Sequence, residues 1–100
     1  MSKNNYRISR QAIEDLDKIW IYTFNKWTKE QADRYFDLII TEIEFLADNF
    51  MTGKSAEQTR KNYRVTKVKS HLIFFRKAEN DIVEIVRILH QLMDIKTHLN

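Results

Sequence analysis

The chain contains no cysteine and no proline, and Gly53 is its only glycine. Without thiols there is no disulfide framework, no thiolate metal site and no cysteine nucleophile, which agrees with a reducing compartment. The three histidines, His71, His90 and His98, do not follow a ligand spacing, so neither a metal nor a cofactor is expected. No apolar run approaches the roughly 20 residues that span a bilayer. The opening "MSKNNYRISR" also lacks the apolar stretch of a signal peptide. A soluble, cytoplasmic protein with no membrane partner is expected. One hundred residues with 43% hydrophobic content suit one domain over residues 1–100, because a chain of this size closes a single core.

The net charge of +3 is unevenly spread. Residues 1–50 carry seven Lys/Arg against nine Asp/Glu, whereas residues 51–100 carry ten against five. Between Lys54 and Lys77 eight basic residues face only Glu57. Such asymmetry bears on partners, nucleic acid or an acidic protein segment, and not on fold; a solvated face that aids solubility is the plainer alternative.

With proline absent and glycine nearly so, element boundaries must come from periodicity and caps. "YRIS" reads as a short strand, after which Ser9 offers a hydroxyl N-cap to a helix beginning near Arg10. Ala12, Ile13, Leu16, Ile19, Trp20 and Phe24 fall on one stripe at three-and-four spacing. Thr28 and Gln31 form a capping-box pattern, with Trp27 placed to staple the joint. A second stripe runs from Ala32 through Tyr35, Phe36, Ile39, Ile43 and Leu46 to Phe50, and Gly53 is expected to end it at positive φ. The aromatic stripe of Trp20, Phe24, Tyr35 and Phe36 is expected in the core. Two amphipathic helices joined by about three residues make an antiparallel hairpin.

The texture then changes to β-branched and aromatic runs: "YRVTKV", "HLIFFR" and "DIVEIVRILH", with breaks at Lys69-Ser70 and "KAEN". The fold class is therefore α+β: an N-terminal strand, an antiparallel helix hairpin and a three-stranded antiparallel meander. Strict alternation along the last strand puts Val83, Ile85, Arg87 and Leu89 on one face and Ile82, Glu84, Val86, Ile88 and His90 on the other. An unpaired guanidinium is costly to bury, so the face with Arg87 is expected to lie open, with its apolar neighbours available to a partner. On that view Arg87→Glu would leave the fold intact and weaken binding.

These segments resemble a family. "YRISRQAIEDLDKIWIYTFNKW", "TKEQADRYFDLI", "KSHLIFFRK" and "EIVRILHQLMDIKTHL" are similar, in order and spacing, to the ParE branch of the RelE/ParE toxins of bacterial toxin–antitoxin modules. Phe75 stands where that family often has tyrosine, and Gly53 alone remains of the usual proline and glycine after the second helix. The resemblance implies a strand–helix–helix–three-strand fold, neutralisation by an antitoxin from the same operon, and toxicity through DNA gyrase. An antitoxin segment that is acidic and disordered until bound would suit the basic half of the chain.

The RelE branch instead cleaves messenger RNA on the ribosome, using lysine, arginine and a late tyrosine, or a glutamate–histidine–tyrosine set. Here the last tyrosine is Tyr63, and no phenol follows Arg87. No catalytic residue is therefore assigned, and the ribonuclease is the alternative reading. Arg64 and Arg87 could clamp a phosphate and His90 could move a proton, but spacing supplies no third partner. For Arg87 the plainer role is solvent-facing or paired with Glu84; for His90 it is a bond to backbone or to Asp94 at the sheet end. A structural role is expected for His71 as well. Strand periodicity explains the aromatics of "NYRVTKVKSHLIFFRK" more simply than base stacking does, which argues against direct nucleic-acid binding. The candidate antitoxin- or target-binding residues are Arg64, Lys67, Arg76, Arg87, Leu89 and Met93.

Overall fold

A computed structural model describes residues 5–99. Its elements are β1 (Tyr6–Ile8), α1 (Arg10–Lys26), α2 (Lys29–Asp48), β2 (Lys54–Ser55), β3 (Arg64–Val68), β4 (His71–Lys77), β5 (Val83–His90) and α3 (Ile95–Leu99). Short 3-10 turns occupy Phe50–Thr52 and Glu79–Asp81. The expected strands and helix hairpin are present. The sheet, however, has five strands in the order β1-β5-β4-β3-β2, because Lys54–Ser55 add an edge strand and β1 pairs with β5. The β1–β5 pair is parallel, whereas β5, β4, β3 and β2 follow one another antiparallel. The sequence reading also missed α3, a single turn with too little periodicity to announce itself.

Helix α1 starts where the cap was expected. The Ser9 hydroxyl accepts from the Ala12 N–H at 3.0 Å and donates to the Val86 carbonyl at 2.8 Å, so one side chain caps the helix and ties it to β5. The Thr28 hydroxyl caps α2 by accepting from the Gln31 N–H at 3.1 Å. The rest of the box differs, since the Gln31 amide oxygen accepts from Arg34. Trp27 is 63% exposed and staples nothing; its backbone N–H closes α1 by donating to the Thr23 carbonyl.

Gly53 does not stop α2 at positive φ. The helix ends at Asp48, and Gly53 is extended, at φ −72° and ψ 161°. Glycine is needed there because a Cβ would run into the Phe75 ring and lie 3.2 Å from the Val65 carbonyl oxygen. The left-handed positions are Asn62, Lys69, Asn80 and Asp81, in the β2–β3, β3–β4 and β4–β5 connections.

Ala12 and Leu16 of α1, with Ile39, Ile43 and Leu46 of α2, pack on Ile73, Phe75, Val83, Ile85 and Ile88 of the sheet. The aromatic stripe is only partly core. Tyr35 and Phe36 pack against this cluster, whereas Phe24 is 45% exposed and stacks on Trp20 at a centroid distance of 5.2 Å. The Trp20 indole donates to Asp33 of α2 at 2.9 Å, so this end of the stripe fastens the two helices to each other. Ile13, on the same expected stripe, also faces outward.

The second sheet face is not open. Phe74 and Leu89 are buried there beneath Ala56 and Leu99, with Tyr63, Val65, Leu72 and Ile95 packed around them. The alternation assumed for β5 fails at one residue. Lys77, Arg76 and Phe75 pair with Val83, Glu84 and Ile85, but Phe74 pairs with Arg87, leaving Val86 as an inserted bulge residue. A bulge advances the side-chain phase by one. Val83, Ile85 and Ile88 therefore all face the helices, and Leu89 packs on the opposite face with Phe74.

Candidate functional site

Asp15, one helical turn beyond Ala12, is buried on the inner stripe of α1 and stands beside β5. Strand β1 ends at Ile8, paired to Ile85, so the N–H of Ile88 has no strand partner on that side. The Asp15 carboxylate accepts that N–H at 2.9 Å and binds the Arg87 guanidinium through both oxygens, at 2.8 and 2.9 Å. The third guanidinium nitrogen, Nη1, donates to the His98 carbonyl at 2.8 Å. Arg87 thus joins α1, packed on one sheet face, to α3, which covers the other. The arginine is held above its ordinary pKa, first by its hydrogen bond to Asp15. The expectation of Arg87 on an uncovered face is therefore corrected: the residue is largely buried and paired with Asp15, not with Glu84.

Glu84 serves other arginines. It accepts from Arg76 of β4 at 2.6 Å and from Arg7 of β1 at 3.3 Å, forming a charge row across three strands. Arg64 is also committed internally. Its guanidinium donates to the Met51 carbonyl at 3.2 Å and to the Gly53 carbonyl, and lies over the Phe50 ring. It pins the turn after α2 to β3. Leu89 is 1% exposed, so its side chain cannot meet a partner unless the covering residues move. Of the six candidate residues, Lys67 and Met93 are exposed, Arg76 is half-exposed within its ion pair, and Arg64, Arg87 and Leu89 belong to the framework.

The structure instead assembles a group that no single segment revealed. His71 opens β4, His90 closes β5, and the bulge brings them opposite each other. Their rings meet edge to face with centroids 5.2 Å apart. Tyr35 of α2 lies against them, its hydroxyl 3.0 Å from the Val68 carbonyl and 2.7 Å from Nδ1 of His71. The phenol has one proton. Both contacts are bonds only when that proton goes to Val68 and Nδ1–H of His71 donates to the phenol oxygen, leaving Nε2 as an acceptor. Nδ1 of His90 accepts from the Leu92 N–H at 3.1 Å, which is the backbone bond expected for it. Burial, and then the nearby His90, push the His71 imidazole down to about 4, so it is neutral at physiological pH. Burial likewise raises Tyr35 above the usual phenol value.

This group lies at the junction of two neighbouring depressions of about 410 and 390 Å³, which share Tyr22, His71 and His90. The first extends toward Lys26, Trp27 and Lys69; the second extends over Ile19 and Ile88 to Lys18 and Met93. Among the described residues no cluster of three or more His, Asp or Glu could hold a metal ion. Nor does any helix have the length and apolarity to cross a membrane. Two imidazoles in edge-to-face contact leave no gap for a phosphate between them, and the Tyr35 hydroxyl is already engaged. The arrangement offers an aromatic and apolar groove with a cationic margin.

Residues 6–95 match the family described as ParE toxin of type II toxin-antitoxin system, parDE. The chain is 40% identical over 94 residues to Toxin ParE1 of Caulobacter vibrioides, covering 94% of this chain and 96% of that protein. It is 31% identical over 96 residues to Toxin ParE1 of Mycobacterium tuberculosis, covering 96% and 98% respectively. A solved structure described as the chromosomal ParDE TA system from P. aeruginosa contains a chain that superposes with a TM-score of 0.73. At 18% identity over 88% of this chain and 98% of that one, it shares the fold.

Proposed function

Since this chain belongs to the ParE toxin family of type II toxin–antitoxin systems, we propose that it arrests growth by binding DNA gyrase and is neutralised by a cognate antitoxin. The observation that carries this reading is the match to the ParE family over residues 6–95. In this reading the protein works in the cytoplasm as a binder and not as an enzyme. The site geometry supports that: the Tyr35 phenol and Nδ1 of His71 are spent on each other and on backbone, and Arg87 is spent on Asp15 and His98. A ribonuclease needs such groups free for the 2′-hydroxyl, the phosphate and the leaving oxygen.

Expression without the antitoxin is expected to stop growth and raise the DNA-damage response, and purified protein is expected to inhibit gyrase supercoiling. Co-expression of the antitoxin from the neighbouring reading frame is expected to restore growth. Unaltered supercoiling at saturating toxin would remove gyrase as the target. Cleaved transcripts after induction would replace the reading with a ribosome-dependent endoribonuclease.

A further inference from the structure

We infer that the groove between α1 and the His71–His90 end of the sheet seats an acidic segment of the antitoxin, which inserts an apolar side chain beside Tyr22 and Met93. Its carboxylates lie on Lys18, Lys26 and Lys69. This inference rests on the toxin–antitoxin reading above and adds to it the place and chemistry of the contact.

The first argument is exposed apolar surface. The groove is floored by Ile19 and Ile88, yet Tyr22 and Met93 at its margin remain 63% and 45% exposed. Depressions of about 410 and 390 Å³ fall in the size range of pockets that enclose small ligands, roughly 300–1000 Å³. Covering these side chains removes apolar area from water, and none of the described residues does so.

The second argument is charge. Lys18, Lys26 and Lys69 are all exposed at the margin, and among the described residues none has a carboxylate within salt-bridge distance. The one acidic residue lining the groove, Asp15, already spends both oxygens on Arg87 and the Ile88 N–H. Three lysines without a carboxylate partner among the described residues, one of them Lys26 over the Tyr22 ring, select an occupant that is apolar at its centre and anionic at its flanks. A nucleic acid suits the groove less well. The Tyr35 hydroxyl and Nδ1 of His71 are not free to read bases, because they bond each other and the phenol also donates to the Val68 carbonyl.

Two variants test the placement without touching the framework: Lys18→Glu combined with Lys26→Glu, and Tyr22→Ala combined with Met93→Ala. All four side chains are exposed, so circular dichroism should match the wild type. Affinity for the antitoxin encoded in the neighbouring reading frame is measured by calorimetry, beside gyrase supercoiling. Each variant is expected to bind the antitoxin about tenfold or more weakly, and the charge variant should also lose much of the salt dependence. Antitoxin affinity within about twofold of wild type for both variants overturns the inference. A fall in gyrase inhibition alone would give the groove to the target instead, which also overturns it. A wild-type chain that fails to bind the antitoxin at all sinks the toxin–antitoxin reading itself, a result distinct from the others.

Discussion

Asp15 holds Arg87 through both carboxylate oxygens while also accepting the Ile88 N–H at 2.9 Å. A helix carboxylate thereby stands in for the strand that β5 lacks beyond Ile8. Removing it leaves a largely buried guanidinium and a buried amide unpaired. Asp15→Ala is expected to destabilise the fold by about 3–5 kcal/mol, the cost of orphaning one partner of a buried ion pair. Arg87→Glu should unfold the protein outright, because it places a second carboxylate against the first. Urea titration of both variants checks this, and an Arg87→Glu protein with wild-type stability would contradict the geometry.

Leu89 and Met93 are four residues apart yet differ sharply in environment. Leu89→Ala opens a cavity under Leu99 and is expected to cost about 2–5 kcal/mol. Met93→Ala lies at the groove margin and should stay within about 0.5 kcal/mol of wild type. Thermal melts of the two variants distinguish buried from presented side chains.

At Gly53 the sign of the effect is the test. In an extended conformation that alanine tolerates, Gly→Ala ordinarily stabilises by about 0.4–1 kcal/mol through the unfolded state. Here the new methyl meets the ring of Phe75, which is fully buried and packed edge-on against Phe50. Overpacking of this kind costs about 1–3 kcal/mol, so Gly53→Ala should lower the midpoint of denaturation.

His71 makes stability depend on pH. Its folded pKa of about 4 lies below the ordinary 6.5, so the unfolded chain takes up the proton first as pH falls. The contribution is fully present above about pH 6.5 and is lost as pH falls toward 4. The melting temperature should therefore decline over this window more steeply for the wild type than for His71→Gln. Parallel curves would show that the imidazole is not desolvated as described.

Much of the fold was legible in the sequence because its signals are local. Ser9 and Thr28 mark helix starts by cap chemistry, the 3.6 period places Ala32, Ile39, Ile43 and Leu46 inward, and β-branched runs mark three strands. The faces of β5 were misread because of one non-local feature. Counting back from the β4–β5 turn without a bulge would pair His71 with Leu89. The inserted Val86 pairs it with His90, turns Val83 and Ile85 toward the helices, and sends Leu89 to the opposite face. Neither a glycine nor a proline flags the insertion. The histidine pair followed from that register, whereas the cover over the second face comes from Ala56, Tyr63, Ile95 and Leu99, outside the β4–β5 ladder. Asp15 carried a weak signal, an acid three residues after Ala12 and next to Leu16 on the inner stripe of α1.

Strand β5 lies inside the sheet, between β1 and β4, but follows both of them in the chain. During synthesis, the helices and the β3–β4 hairpin emerge while the slot between β1 and β4 is still empty. The edge of β4 stays open until Val83–His90 are made, and closing the slot joins residues 6–8 to 83–85, almost the full length of the described chain. Loop closure over such a distance is slow. Until Val83–His90 are made, the sheet lacks the strand that joins β1 to β4. The groove beside the His71–His90 pair is complete only when that last strand arrives.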